Sequence, residues 1–265
     1  MAGELPFCCD GCMCTAVISI SPGEPVLLAG IRDELTGRSW LPPARHWPRY
    51  PGLVGGLDLQ AGGTWLAVAP EAGRVACVLN GRGRAAPERS RRSRGSLPLQ
   101  AAARGRPDAV GFADFDPFHL ISAELAGAVL WSWDGDELTE RELGPGLHLV
   151  VNSGLDSDLA GSWPPHERSR IAHFGRLLRA AVRPAPRPGE PVRQAWGEWL
   201  PLIDGDGIGT RDQRALLVRH DLGDGRVFAS TSVSLVALSP AGLRYDFTAR
   251  PGDTSAWYPV PLTGR

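Results

Sequence analysis

Apolar and polar positions along the chain fall mainly into short runs with a period of two, the signature of strands packed into a core. Residues 14–19 and 26–30 form the first such pair, joined by the turn Ser21-Pro22-Gly23-Glu24. Residues 65–69 and 75–79 repeat the pattern around a turn at 70–73, and 119–122, 129–132 and 148–151 continue it. Near the end, 215–219 and 227–231 flank a Gly-Asp-Gly turn, and 233–238 and 243–247 flank Pro240-Ala241-Gly242. Helical spacing is rarer. It predicts a short helix over 95–103, a longer one over 165–182 with Ile171, Phe174, Leu177, Leu178 and Ala181 on one face, and a third over 191–203 carrying Trp196, Trp199 and Leu200. The Pro-rich stretch 183–191 reads as a surface connection and 82–94 as an exposed loop. Strands at both ends with helices between them predict an α+β sandwich.

Composition narrows the function classes. The chain has 265 residues, 43% of them hydrophobic, and a formal net charge of -1. A near-neutral surface lacks the field that gathers polyanions, so nucleic acid is not an expected partner. The arginines Arg89, Arg91, Arg92 and Arg94 are the local exception and read as a solvated loop. No apolar run approaches the roughly 20 residues of a membrane helix, and the first residues have no signal-peptide layout. A cytoplasmic location is the expectation. Cys8, Cys9, Cys12 and Cys14 crowd the amino terminus. They lack the second ligand pair that a closed zinc site draws on, so no metal is expected. Gly55-Gly56 and Gly62-Gly63 lack the Lys-Ser/Thr of a phosphate loop, and Asp204-Gly205-Asp206-Gly207 lacks the remaining ligands of a calcium loop. Both read as turns.

Residues 1–12 differ in pattern from the rest of the chain and read as a leader or a mis-assigned start, with a single domain over 13–265. At that boundary stands Met13-Cys14-Thr15-Ala16-Val17, followed by Ala29-Gly30-Ile31-Arg32-Asp33-Glu34, Pro43-Ala44, Gly55-Gly56-Leu57-Asp58, Gly62-Gly63-Thr64-Trp65, Leu79-Asn80, Ser93-Arg94-Gly95, Pro145-Gly146, Asn152-Ser153 and Gly209-Thr210-Arg211. In this order the segments resemble the NRDE family, the transport and Golgi organization family, with Ile31 where the naming motif usually has Asn. The first segment also resembles the choloylglycine hydrolases. The resemblance implies an N-terminal-nucleophile hydrolase-like αββα sandwich, two mainly antiparallel sheets flanked by helices.

A cysteine at a mature amino terminus carries a thiol and an amine on one residue. An α-amine titrating at about 7.7–8.0 serves as the general base for its own thiol. Cys14 fits that role only if residue 14 becomes the first, through initiation at Met13 with removal of that Met or through cleavage of a leader. The resemblance implies a hydrolase of non-peptide C–N bonds, with a small-molecule substrate and no cofactor. Asp33 would receive the amine, Asn80 and Asn152 would bind the oxyanion or orient the amine, and Arg32 and Arg211 would bind substrate. Each has a plainer alternative. Arg32 and Asp33 would suit an ion pair between strand ends, the two asparagines strand-terminal turns, and Arg214 competes with Arg211. With the amine blocked, the resemblance implies a ligand-binding or trafficking protein for haem or an acyl-CoA lipid.

Overall fold

In the first strand, β1 (Thr15–Ile20), neighbouring side chains point to opposite faces, and five of the six residues are buried. A strand covered on both faces needs a layer on each side. The computed structural model, which describes residues 14–108 and 111–262, supplies both. The next strands are β2 (Val26–Leu35), β3 (Trp40–Ala44), β4 (Val54–Asp58), β5 (Leu66–Ala69) and β6 (Arg74–Asn80). Helix α1 (Leu97–Arg104) precedes β7 (Phe118–Glu124), β8 (Gly127–Trp133), β9 (Leu138–Leu143), β10 (Gly146–Val151) and β11 (Gly154–Leu155). Helices α2 (Pro165–Ala180), α3 (Val192–Trp196) and α4 (Trp199–Ile203) come next. The chain closes with β12 (Arg219–Asp221), β13 (Val227–Ser239), β14 (Gly242–Thr248) and β15 (Tyr258–Pro259).

The strands form two antiparallel sheets. The first runs β11-β10-β1-β2-β13-β14-β15, with β12 also on β13, and the second runs in chain order from β3 to β9. Ala16, Ile18, Leu28, Leu66, Cys77, Ile121 and Phe247 fill the space between them. On the outer face of the first sheet, Val17, Ala29, Ile31 and Leu235 pack against Phe174 and Leu178 of α2 and Trp196 and Trp199 beyond it. On the outer face of the second, Ala67, Ala76 and Leu120 pack under Leu97 and Ala101 of α1. The expected αββα sandwich is therefore the fold observed. No helix among the described residues is long and apolar enough to cross a membrane.

Several expectations change in detail. The two strands expected at 227–231 and 233–238 are one strand, β13, bulged between Ser230 and Ser232. Residues 215–218 are buried but irregular, and pairing begins only at Arg219. The helix expected over 191–203 breaks at Gly197, whose φ of 47° and ψ of -125° leave helical space, giving α3 and α4. Of the amino-terminal cysteines, Cys8, Cys9 and Cys12 lie outside the described residues.

Candidate functional site

Strand register brings the first candidates together. β1 pairs with β2 through Thr15↔Ile31 and with β10 through Ala16↔Val150. Continued to the end of β1, the pairing sets Cys14 between Arg32 and Asn152, all on the face toward the second sheet. Ser232 of β13 lies beyond Arg32 in the same row. Cys14 is half-buried, and its Sγ–H points to the carbonyl of Asp33 at 3.7 Å. Burial, and then the charge of Asp33, pushes its thiol up to about 12. At neutral pH the sulfur holds its proton, so attack on a carbonyl needs a base.

Asp33 occupies the opposite face of the same sheet, under α2. The bulge in β13 places Ser230 across from it. Ser230 accepts from the Val218 N–H at 2.9 Å, which leaves its own hydroxyl to donate to Asp33 Oδ1 at 2.5 Å. The irregular 215–218 segment thus anchors this relay. Arg170 of α2, 2% exposed, donates to Thr15 Oγ1 at 2.8 Å, and its charge acts on Asp33. Asp33 Oδ2 is buried and has no hydrogen-bond partner among the described residues. Burial pushes the carboxyl up to about 7, against the pull of Arg170 and then of the Ser230 hydroxyl.

That displacement has a sign. The unfolded chain ionises this carboxyl near 3.8 and the folded chain near 7, so the folded state holds the proton more tightly. The resulting stability is complete below about pH 4 and is lost as pH rises through 7, by roughly 4 kcal/mol at most. Denaturant melts of the 1–265 chain between pH 4 and 8 are expected to show this fall. Asp33→Asn should flatten it, and an unchanged slope in that variant would count against a buried, proton-holding Asp33.

The second sheet supplies the facing wall. The Arg32 guanidinium lies 4.5 Å from the Trp65 ring centroid, and a Cβ on Gly56 would meet that ring at 2.1 Å, so glycine is what lets the indole lie flat. Thr231, the extra residue of the bulge, accepts from Arg32 Nη1 at 2.9 Å. Arg38 takes Asp58 at 2.6 Å, leaving Arg32 3.9 Å from Asp58 and 3.6 Å from Glu34. His119 reaches across from β7, with its Nε2 3.2 Å from the Asn152 carbonyl and its Nδ1 2.8 Å from the Ser132 hydroxyl. Burial holds His119 below the usual imidazole range. A neutral ring then donates from Nε2 and accepts at Nδ1. Fully buried Glu167 receives the Ser153 N–H at 3.0 Å and pairs with Arg82 at 2.9 Å, fixing the turn that carries Asn152.

Two motifs distant in sequence meet here. Thr64 N–H donates to the Gly95 carbonyl at 2.9 Å, and a Cβ on Gly63 would stand 2.5 Å from the Gly95 carbonyl carbon. This backbone contact turns Arg94, which was expected in a solvated run, inward, where it is part-buried. Its Nη1 donates to the Pro117 carbonyl at 2.8 Å, and burial lowers its basicity. Gly63→Ala is expected to destabilise the fold by about 2–3 kcal/mol, since backbone stands where the methyl must go. Thermal melts check this, and a change under about 0.5 kcal/mol would show that the two loops can separate freely.

Cys14, Arg32, Asp33 and Asn152 are thus gathered at one end of the sandwich. Asn80 is not tied to them: it ends β6 opposite Phe118, on the face that carries Ala76 and Val78, away from the inter-sheet side. Arg211 lies in an exposed turn, where its charge joins that of Arg170 in holding His220 low after burial has done so. Arg214, its competitor, is taken by Asp212 at 2.8 Å. A cleft of about 390 Å³ between α2 and β10, lined by Leu147, Ile171, Arg176 and Arg179 among others, does not include Cys14. Arg170, Ser230 and His119 are neighbours of these residues that the sequence reading did not single out. Arg170 carried a signal, since it stands on the apolar stripe of its helix beside Ile171 and Phe174. Ser230 carried none, because a bulge has no sequence mark here.

Fold and site together define an αββα sandwich with a cysteine at the head of its first strand, set between an arginine and an asparagine and backed by a buried aspartic acid. The chain belongs to the Transport and Golgi organisation 2 family, whose model matches residues 13–187. Among solved structures it is similar to a penicillin V acylase from Agrobacterium tumefaciens, at 14% identity and a TM-score of 0.42, over 89% of this chain and 82% of that one. No curated protein matches it.

Proposed function

We propose that the protein is a cysteine hydrolase of non-peptide amide bonds that works from an amino-terminal Cys14. The observation that carries this is the buried, unpartnered Oδ2 of Asp33 beside a residue whose thiol cannot ionise unaided. An ammonium on residue 14 would answer both needs: it neutralises Asp33, and in its amine form it takes the thiol proton. Exposing it requires initiation at Met13 followed by removal of that Met, or cleavage before Cys14.

The amine accepts the Sγ proton as sulfur bonds to the amide carbon, and the carbonyl pair moves onto oxygen. Arg32 and Asn152, flanking the thiol, supply donors for the oxyanion or position the acyl group. Collapse breaks the C–N bond, the amine passes its proton to the leaving nitrogen, and a thioester remains on Cys14. Water, deprotonated by the same amine, then releases the acid and restores the thiol.

The test compares a chain beginning at Cys14 with the 1–265 chain on N-acyl amides of a chromogenic amine. Release of the amine by the first and not by the second is expected. Cleavage by neither, with saturable binding of an acyl-CoA to both, would instead support the ligand-carrier alternative.

A further inference from the structure

We propose that Ser230 is a positioning residue of the site: the bulge in β13 seats its hydroxyl on one oxygen of Asp33, so that the other is left to meet the nitrogen of residue 14. The part played toward a free amine rests on the hydrolase reading. The seating of Asp33 does not.

Residues 230–232 read Ser-Thr-Ser. The bulge sets Ser230 across from Asp33 and Ser232 across from Arg32, with Thr231 extra between them. Two neighbouring residues of β2 thereby each gain a hydroxyl, on opposite faces of the sheet. Thr231 accepts from Arg32 Nη1 at 2.9 Å and donates to the Arg32 carbonyl at 3.2 Å. Ser230, half-buried, donates to Asp33 Oδ1 at 2.5 Å. Val218 holds Ser230 twice: its N–H donates to the Ser230 hydroxyl oxygen at 2.9 Å, and its carbonyl accepts from the Ser230 N–H at 2.9 Å. With an N–H on its oxygen, the hydroxyl has its one proton free for the carboxyl.

The register carries this to the site. β1 pairs with β2 through Thr15↔Ile31, so Arg32 stands level with Cys14 and Asp33 lies one step beyond, on the side of the Cys14 nitrogen. With Oδ1 bound by Ser230, Oδ2 is the oxygen left buried with no hydrogen-bond partner among the described residues. The charged groups that act on Asp33 are Arg170 from α2 and Arg32 and Glu34 from its own strand. Glu167 of α2 and His220 of β12 lie in the field of Arg170, and the Cys14 thiol at the head of β1 keeps its proton. Arg170 is the strongest of the influences that favour the carboxylate, and the Ser230 proton comes next. What Ser230 adds is direction, since its bond decides which oxygen is held and which stays free.

NMR titration of isotope-labelled aspartate carboxyls in the 1–265 chain reads Asp33 directly, with Asp33→Asn assigning its signal. Ser230→Ala is expected to move the Asp33 midpoint up by about one pH unit or more, the worth of a hydrogen bond to a charged group. Ser230→Cys keeps the volume but donates weakly and should raise it too, whereas Ser230→Thr, which keeps the hydroxyl, should stay near the parent. Ser232→Ala is the control within the triplet: that buried hydroxyl has no hydrogen-bond partner among the described residues, and its loss should leave the Asp33 midpoint in place. A midpoint unmoved by Ser230→Ala and Ser230→Cys, or raised equally by Ser232→Ala, overturns the proposal. A second titration follows the labelled α-amine of a chain beginning at Cys14. Ser230→Ala should lower its midpoint by about half a pH unit or more, because the ammonium then faces less negative charge. An unmoved amine overturns the role toward residue 14. Neither titration requires turnover, so absence of amide cleavage with both shifts present would defeat the hydrolase reading and leave this result standing.

Discussion

Cys14→Ala is expected to lower amide cleavage by the chain beginning at residue 14 at least about a thousandfold while leaving the fold intact. The two halves of that expectation come from different observations. Chemically, no other described thiol stands at the row shared with Arg32 and Asn152. Cys77, the other described cysteine, is buried in the core between the sheets, so Cys77→Ala should stay within a few-fold of the parent. Structurally, the Cys14 thiol makes one long contact, 3.7 Å to the Asp33 carbonyl, so its loss should cost no more than about 1 kcal/mol. Amine release and a thermal melt on the same sample check both halves. Residual cleavage within tenfold of the parent would remove Cys14 from the chemistry.

Arg170→Met is expected to have the largest effect on stability, a loss of about 3–5 kcal/mol. The guanidinium is buried under α2, donates to Thr15, and is the leading electrostatic influence that favours the charged form of Asp33. Methionine fills a similar volume but leaves the Asp33 carboxyl buried without its cation, so that carboxyl should titrate above its present value near 7. Pairing Arg170→Met with Asp33→Asn removes the charge that would be stranded and should recover a good part of the loss. Denaturant unfolding at pH 7.5 measures all three proteins. Additive losses in the double variant would mean that the two groups are not coupled.

Much of the scaffold was legible because the central strands are apolar on alternating or on both faces. β1, β2, β6, β7 and β14 announce themselves by runs such as Val-Leu-Leu-Ala and His-Leu-Ile-Ser. Of the strands that escaped notice, β3 and β9 border the second sheet. β3 contains Pro42 and Pro43, and β9 reads Leu-Thr-Glu-Arg-Glu-Leu with its centre exposed. Prolines and charges are what sheet edges carry to resist further pairing, so an edge strand loses the pattern by which strands are read. β4, with Gly55 and Gly56 at its centre, was hidden for another reason: close backbone and indole contacts leave no room for side chains there.

The site divides the same way. Cys14, Arg32 and Asp33 could be picked out because they lie on one hairpin, where local spacing carries spatial meaning. Asn152 joins them through the β1–β10 register, which the sequence cannot specify. Arg94 read as one cation in a solvated run because what turns it inward is the contact between Gly63 and Gly95, two residues without side chains. Asn80 looked equivalent to Asn152 as an asparagine after an apolar strand, but the period of two at the end of β6 sends it to the other face of its sheet.

The account depends most on the free nitrogen of residue 14, and the pH dependence of Cys14 alkylation by iodoacetamide measures it directly. In a chain beginning at Cys14, reactivity should rise with a midpoint near that of an α-amine, about 7.7–8.0. In the 1–265 chain the nitrogen is an amide, and the thiol, held up to about 12, should stay unreactive until far more alkaline pH. Superimposable profiles for the two chains would contradict the claim that the amine of Cys14 activates its own sulfur.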